Sequence, residues 1–215
     1  GNNQLVNPLK GKSVMLRIPV LLMLLLFPML AFSHNFIQGQ HVAPVGITDR
    51  GEFVLNGDEI SYRNWKSSQL EGKVRVVLYI AGRRSAKKKN SILIKAIKSA
   101  NFPEDRFQPT TIVNTDDECP GTGLFGNGKV EKNQRHYPWA QFIIDSDGLG
   151  RKAWQLKKDS STIVVLDREG RVQWAKDGAL TPGEVLQVIS LIQHLLDTGK
   201  PDRHSGAPSS AAVSP

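Results

Sequence analysis

The chain has 215 residues, 40% of them hydrophobic and 22% charged, a balance that excludes a wholly disordered, collagen-like or coiled-coil chain and fits one folded domain with appendages. Lys and Arg number 28 against 20 Asp and Glu, for a formal net charge of +8, which brings nucleic acid, acidic membrane surfaces and small anions into view as partners. The single cysteine, Cys119, excludes an intramolecular disulfide, a CxxC redox pair and a multi-cysteine zinc site.

Lys10, Lys12 and Arg17 precede an apolar run from Ile18 to Phe32, and Ala31 and Ser33 supply small residues just before His34. Basic, apolar and cleavable segments in that order read as a signal peptide, because a short apolar helix enters the translocon while positive charge stays behind. A retained anchor needs about 20 apolar residues, and this run is shorter and interrupted by Pro19 and Pro28. Residues 1–33 are therefore expected to be an N-terminal extension and a cleavable signal peptide. Met15 would open the leader itself, with Gly1 to Val14 upstream of it. The expected compartment is extracytoplasmic and oxidising, with no membrane span in the mature chain. Residues 199–215 are rich in Pro, Ser, Gly and Ala without apolar periodicity, which predicts a disordered tail. The folded domain is expected over residues 34–198.

Along that domain, short apolar pieces between Ile47 and Tyr62 are separated by Asp49-Arg50-Gly51 and by Asn56-Gly57, which predicts an antiparallel hairpin with a tight turn at the Asn-Gly pair. A short helical or turn segment follows Trp65. Val74 to Ile80 (VRVVLYI) is β-branched and apolar enough for a central strand. From Ser85 to Ala100, Ala86, Leu93, Ile94, Ile97 and Ala100 recur at helical spacing and leave Lys87, Lys88, Lys95 and Lys98 largely outward. A strand over Thr110 to Asn114 completes a crossover between two parallel neighbours. A polar, glycine-rich stretch then leads to a short helix over Val130 to His136. Gln141 to Asp145 is a strand, followed by a turn and a short helix to about Leu156. Thr162 to Leu166 and Arg171 to Ala175 flank a hairpin signal at Asp167-Arg168-Glu169-Gly170. Thr181-Pro182-Gly183-Glu184 combines a capping box with proline at the first helical position and starts a last helix. This order implies an α/β domain with a mixed central sheet flanked by helices and preceded by a β-hairpin.

Three pieces resemble the extracytoplasmic thioredoxin-like proteins: LEGKV leading into VRVVLYIAG, YP through QFIIDSDGLGRKAWQL, and STIVVLDREGRVQW. With HVAPVGITDRGE, IAGRRSAKKKN and WAKDGALT as well, the chain is similar to the YtfJ family of bacterial periplasmic proteins over most of residues 34–197. The resemblance implies a thioredoxin-like fold and a periplasmic home, and little about activity. It also places Arg84-Ser85-Ala86-Lys87 where working thioredoxins carry their dithiol, and Ser161 where they carry a proline before the final hairpin. Thiol chemistry at the usual place is thus absent.

Arg83, Arg84, Lys87, Lys88 and Lys89 cluster where a helix should begin, although the positive end of a helix dipole disfavours cations. A bound anion would reverse that cost through free backbone N–H groups and flanking Arg and Lys. The hypothesis is an anion-binding surface built from Arg83, Arg84, Ser85, Lys87 and Lys88 at the former redox position. A solvated basic face is the plainer alternative. Gly121-Thr122-Gly123-Leu124-Phe125-Gly126 matches a dinucleotide fingerprint, but Thr115 to Pro120 separate it from its strand, so it reads as a loop. Asp116, Asp117 and Glu118, or Asp145 with Asp147, could offer oxygens to a cation and are more simply turn formers. Cys119 is a reactive-thiol candidate without a partner fixed by spacing. The five histidines show no ligand spacing, so no metal or cofactor is expected.

Removal of Lys10, Lys12 and Arg17 with the leader takes the net charge from +8 to +5, and the seven cations from Arg83 to Lys98, with no acidic residue among them, exceed that sum. The basic balance belongs to one helix. The leading expectation is an exported thioredoxin-fold protein without dithiol chemistry, a binding or accessory protein rather than an enzyme, meeting a small anion or an acidic periplasmic partner. A periplasmic thiol-dependent redox enzyme using Cys119 is the alternative. A nucleic-acid-binding regulator comes last, because no DNA-binding motif appears and an exported chain does not meet an operator.

Overall fold

The computed structural model describes residues 34–82, 90–116 and 128–199. Their strands are β1 (Gly46–Asn56), β2 (Glu59–Lys66), β3 (Val74–Ala81), β4 (Phe107–Asn114), β5 (Gln141–Asp145), β6 (Ser161–Leu166) and β7 (Val172–Asp177). The helices are α1 (Ser91–Ala100), α2 (Lys129–His136), α3 (Leu149–Ala153) and α4 (Pro182–Thr198). Among the described residues the strands form one sheet in the order β2-β1-β5-β4-β3-β6-β7. β3 and β4 are parallel, as are β4 and β5, whereas β6 and β7 complete the sheet antiparallel. The α/β, thioredoxin-like architecture expected from the sequence is the one present, a mixed sheet with helices on both faces and a hairpin at its N-terminal edge.

Central position explains the apolar run of β3, whose eight residues are all buried. Val76, Leu78 and Ile80 face Leu93 and Ile97 of α1 and Val185, Val188 and Ile192 of α4. Val77 and Tyr79 face the other way, toward Ile112, Ile143, Trp65 and Trp154. Side chains alternate across a strand, so a strand that feeds two cores must be apolar at nearly every position.

Arg75 is the exception, a charged residue buried on the second face. Its Nε donates to the Leu70 carbonyl at 2.9 Å and its terminal nitrogens reach the Gln69 carbonyl at 3.2 Å, Thr110 Oγ1 at 3.3 Å and the Gln108 side chain. Burial pushes the guanidinium below its ordinary value, and the Glu52 carboxylate opposes that push. One forked cation thereby ties the 3-10 turn Ser67–Leu70 to β4.

Several boundaries differ from the sequence reading for identifiable reasons. The two central residues of the β1–β2 turn are Gly57 and Asp58, because Asn56 already pairs with Glu59. Gly57 has φ +62°, which suits a mirror-image turn with glycine first. Asp49-Arg50-Gly51 does not separate two strands but lies within β1, where the register to β2 shifts between Ile47 and Glu52. β4 begins at Phe107 and includes Pro109. Its ladder to β5 starts only at Thr110, so the proline sits where β4 has a neighbour on one side alone, the setting in which a missing N–H is tolerated. The capping box stands as read: Glu184 N–H donates to Thr181 Oγ1 at 3.2 Å and Thr181 N–H to Glu184 Oε1 at 3.0 Å. Among the described residues no helix is long and apolar enough to cross a membrane.

Candidate functional site

Loops beyond the carboxyl ends of parallel strands are where open α/β sheets place their ligands. Here β3, β4 and β5 end together at Ala81, Asn114 and Asp145. Gly82 N–H donates to the Asn114 carbonyl at 2.9 Å, Ala81 N–H to the Ser160 carbonyl at 3.2 Å and Thr115 N–H to the Asp145 carbonyl at 3.2 Å. Asn114 is wholly buried, and its Oδ1 accepts the Asp116 N–H at 3.0 Å, which turns the chain at the strand end. The chain thus leaves β3 from a pinned Gly82, and Asn90, also buried, precedes the first residue of α1.

Arg83, Arg84, Ser85, Lys87 and Lys88 fall between those two anchors and lie outside the described residues. So do Cys119, Asp117, Glu118 and Gly121 to Gly126, together with residues 1–33 and 200–215. Ser161, expected from the resemblance at the position of the thioredoxin proline, opens β6 opposite Ile80. It is 1% exposed, and its Oγ has no hydrogen-bond partner among the described residues.

Asp145 and Asp147, paired in the sequence as possible cation ligands, stand in different surroundings. Asp147 is exposed, whereas Asp145 is completely buried. The Asp145 carboxylate accepts the Tyr79 hydroxyl at 2.7 Å, the Leu149 N–H at 2.9 Å and the Gly150 N–H at 2.8 Å. Tyr79 Oη in turn accepts the Arg151 N–H at 3.1 Å. Burial, reinforced by the adjacent carboxylate, pushes the Tyr79 phenol far above its ordinary value, so it remains a donor. A carboxylate at the first turn of a helix satisfies orphan N–H groups. Asp145 therefore fastens α3 to the sheet.

A cavity of about 330 Å³ opens beside this strand end, between α1 and α2 and over the β3–β4–β5 face. Leu78, Ile80, Val113 and Phe142 line it from the sheet, Ile94 from α1, and Trp139 from the segment before β5. Lys95, Lys98 and Lys129 are the charged members of its described lining. Lys98 Nζ lies 3.9 Å from the centroid of the Tyr137 ring, a cation–π contact. Lys95 and Lys98 are exposed, in agreement with the outward placement read from helical spacing.

Sequence reasoning missed Tyr79, Arg75 and this cavity. A tyrosine and an arginine at alternate positions of an otherwise apolar strand were the available signal for the first two. The third had no such local signal, since its lining comes from three strands, two helices and the segment before β5.

Residues 36–195 match the family described as "Bacterial protein of unknown function (YtfJ_HI0045)". The chain is 62% identical over 172 residues to the "Uncharacterized protein YtfJ" of Escherichia coli, covering 80% of this chain and 94% of that one. It is 36% identical over 170 residues to an "Uncharacterized protein" of Haemophilus influenzae, covering 79% and 92%. Among solved structures, a candidate protein disulfide isomerase from Bacteroides thetaiotaomicron superposes with a TM-score of 0.53 at 17% identity, covering 77% of this chain and 93% of that one. That likeness establishes the thioredoxin-like fold.

Proposed function

Because the chain belongs to the YtfJ family, a bacterial family of unknown function, its activity has to be read from its own residues, and we propose that it is an exported periplasmic binding or accessory protein whose basic segment takes up anions where thioredoxins hold their dithiol. The observation that carries this reading is the run of seven cations from Arg83 to Lys98 without one acidic residue, five of them in the connection that leaves β3 beside the fixed Asn114 and two, Lys95 and Lys98, on α1. Neighbouring basic side chains and unsatisfied N–H groups at a helix start make a cradle for phosphate or carboxylate. The single cysteine of the chain, Cys119, cannot by itself complete a dithiol cycle, which supports binding over redox exchange.

Titration calorimetry with inorganic phosphate and with a short polyphosphate tests the reading. Binding is expected at low ionic strength, to weaken as salt is added, and to fall at least tenfold in the Arg84→Ala, Lys87→Ala double variant. Undiminished binding in that variant overturns it, and peroxide or dithiol turnover that Cys119→Ser removes would favour the redox reading instead. Export is checked separately by amino-terminal sequencing of protein released by osmotic shock, with His34 as the expected first residue. A protein that stays with the spheroplasts counts against a periplasmic role.

A further inference from the structure

We propose that the cavity between α1 and α2 is a binding site for a small amphiphilic acid, an alkyl chain of about eight carbons ending in one anionic head group. The proposal goes beyond the anion-binding reading above: it uses Lys95 and Lys98, the helical end of the basic run, and none of Arg83, Arg84, Ser85, Lys87 and Lys88.

The space of about 330 Å³ between two helices and a sheet is a solvent-accessible cleft of the size at which small-molecule pockets begin, about 300 Å³. An apolar cavity of about 150 Å³ already holds benzene, and one of this size has room for a medium-length chain. Floor and walls offer that chain hydrocarbon from Leu78, Ile80, Val113 and Phe142 of the sheet and Ile94 of α1. Ile94, Trp139 and Phe142 are only half buried, which leaves the space accessible from solvent.

The sign of the head group follows from the charges. Every charged residue in the described lining is a lysine, namely Lys95, Lys98 and Lys129. Neither Lys95 nor Lys129 has a carboxylate partner among the described residues, and Lys98 rests against the Tyr137 ring. An apolar chamber whose charges are all positive complements a ligand that is apolar at one end and anionic at the other.

The test is calorimetry on the full chain with octanoate, hexanoate and octanol as probes, followed in parallel by tryptophan emission, to which Trp139 contributes. Octanoate is expected to bind, and hexanoate about tenfold or more weakly, since each methylene buried is worth roughly fourfold in affinity. Octanol should bind several-fold more weakly than octanoate. Ile94→Phe, which fills the cavity, should lower octanoate affinity at least tenfold. Lys95→Gln with Lys98→Gln, both at exposed positions, should weaken octanoate several-fold and leave octanol unchanged. Absence of octanoate binding, equal affinity for octanoate and octanol, or indifference to both variants overturns the proposal. The Arg84→Ala, Lys87→Ala double variant separates the two sites. Retained octanoate binding there supports the cavity even if phosphate binding is lost, and lost octanoate binding places the ligand elsewhere and overturns it.

Discussion

Replacing Asp145 by alanine is expected to remove about 4 kcal/mol of folding stability, read as a lower urea midpoint with the slope unchanged. Three donors lose their acceptor at once, the Tyr79 hydroxyl and the N–H groups of Leu149 and Gly150. Leaving each buried donor unmatched costs about 1–3 kcal/mol. Relaxation of the five-residue α3 lets water reach some of them, which holds the total below the simple sum. Asp145→Asn keeps one good acceptor and should cost about half as much. A loss below about 1 kcal/mol for the alanine variant would show that α3 is held by its packing alone.

The partner of that carboxylate adds a pH dependence with a defined sign. Tyr79 is held protonated in the folded protein by burial and by Asp145, while the unfolded phenol titrates near pH 10. Below that pH both states carry the proton and Tyr79 contributes no slope. Above it the unfolded chain releases the proton and the folded one keeps it, so stability falls as pH rises, by up to about 1.4 kcal/mol per unit from this group. Tyr79→Phe removes that part of the alkaline slope at a neutral-pH cost of about 1 kcal/mol. Equal alkaline slopes in the two proteins would separate Tyr79 from the effect.

Gly51→Ala is expected to cost about 3 kcal/mol, from two independent sources. Gly51 has φ +81°, a region that alanine enters at a cost. A Cβ built there would stand 2.3 Å from the Arg63 carbonyl oxygen and 3.0 Å from that of Ile47. Both are backbone atoms, so no side chain can rotate aside and β2 itself must move. The register to β2 shifts at this point, where Gly51 pairs with Ile144 of β5, and the ladder to β2 resumes at Glu52. Gly57→Ala is the matched control, because it shares a positive φ but meets nothing within 4 Å. It should cost only about 1 kcal/mol, and thermal unfolding of the pair separates overlap from backbone strain.

These residues also mark where the sequence was legible. Gln141–Asp145 and the capped start of α4 were readable because apolar runs and caps are local patterns, written within a few consecutive residues. The crossover from β3 to β4 was readable from spacing alone. Asp145 was visible only as an acidic residue near a turn, since its task depends on Tyr79, which the register of three strands brings to it. Arg75 is similar, its acceptors coming from a turn and from β4. The cavity has no motif, being the space left when α1 and α2 settle on a sheet. The basic cluster at Arg83 to Lys89 was the most legible feature of the candidate site, and its charge is a matter of composition, whereas its geometry lies outside the described residues.

The pairing of β1 with β5 imposes an order in time. The β1–β2 hairpin is complete in itself by Lys66, yet the edge that joins it to the sheet, at Arg50, Gly51 and Glu52, waits for Ile143, Ile144 and Asp145, and the first core face waits longer for α4, the last of the described elements in chain order. Closing such long loops precedes any contact they reward. A nascent chain therefore cannot lock this sheet and its first core face into their final form until α4 has been made, long after the hairpin that stands at the sheet's edge.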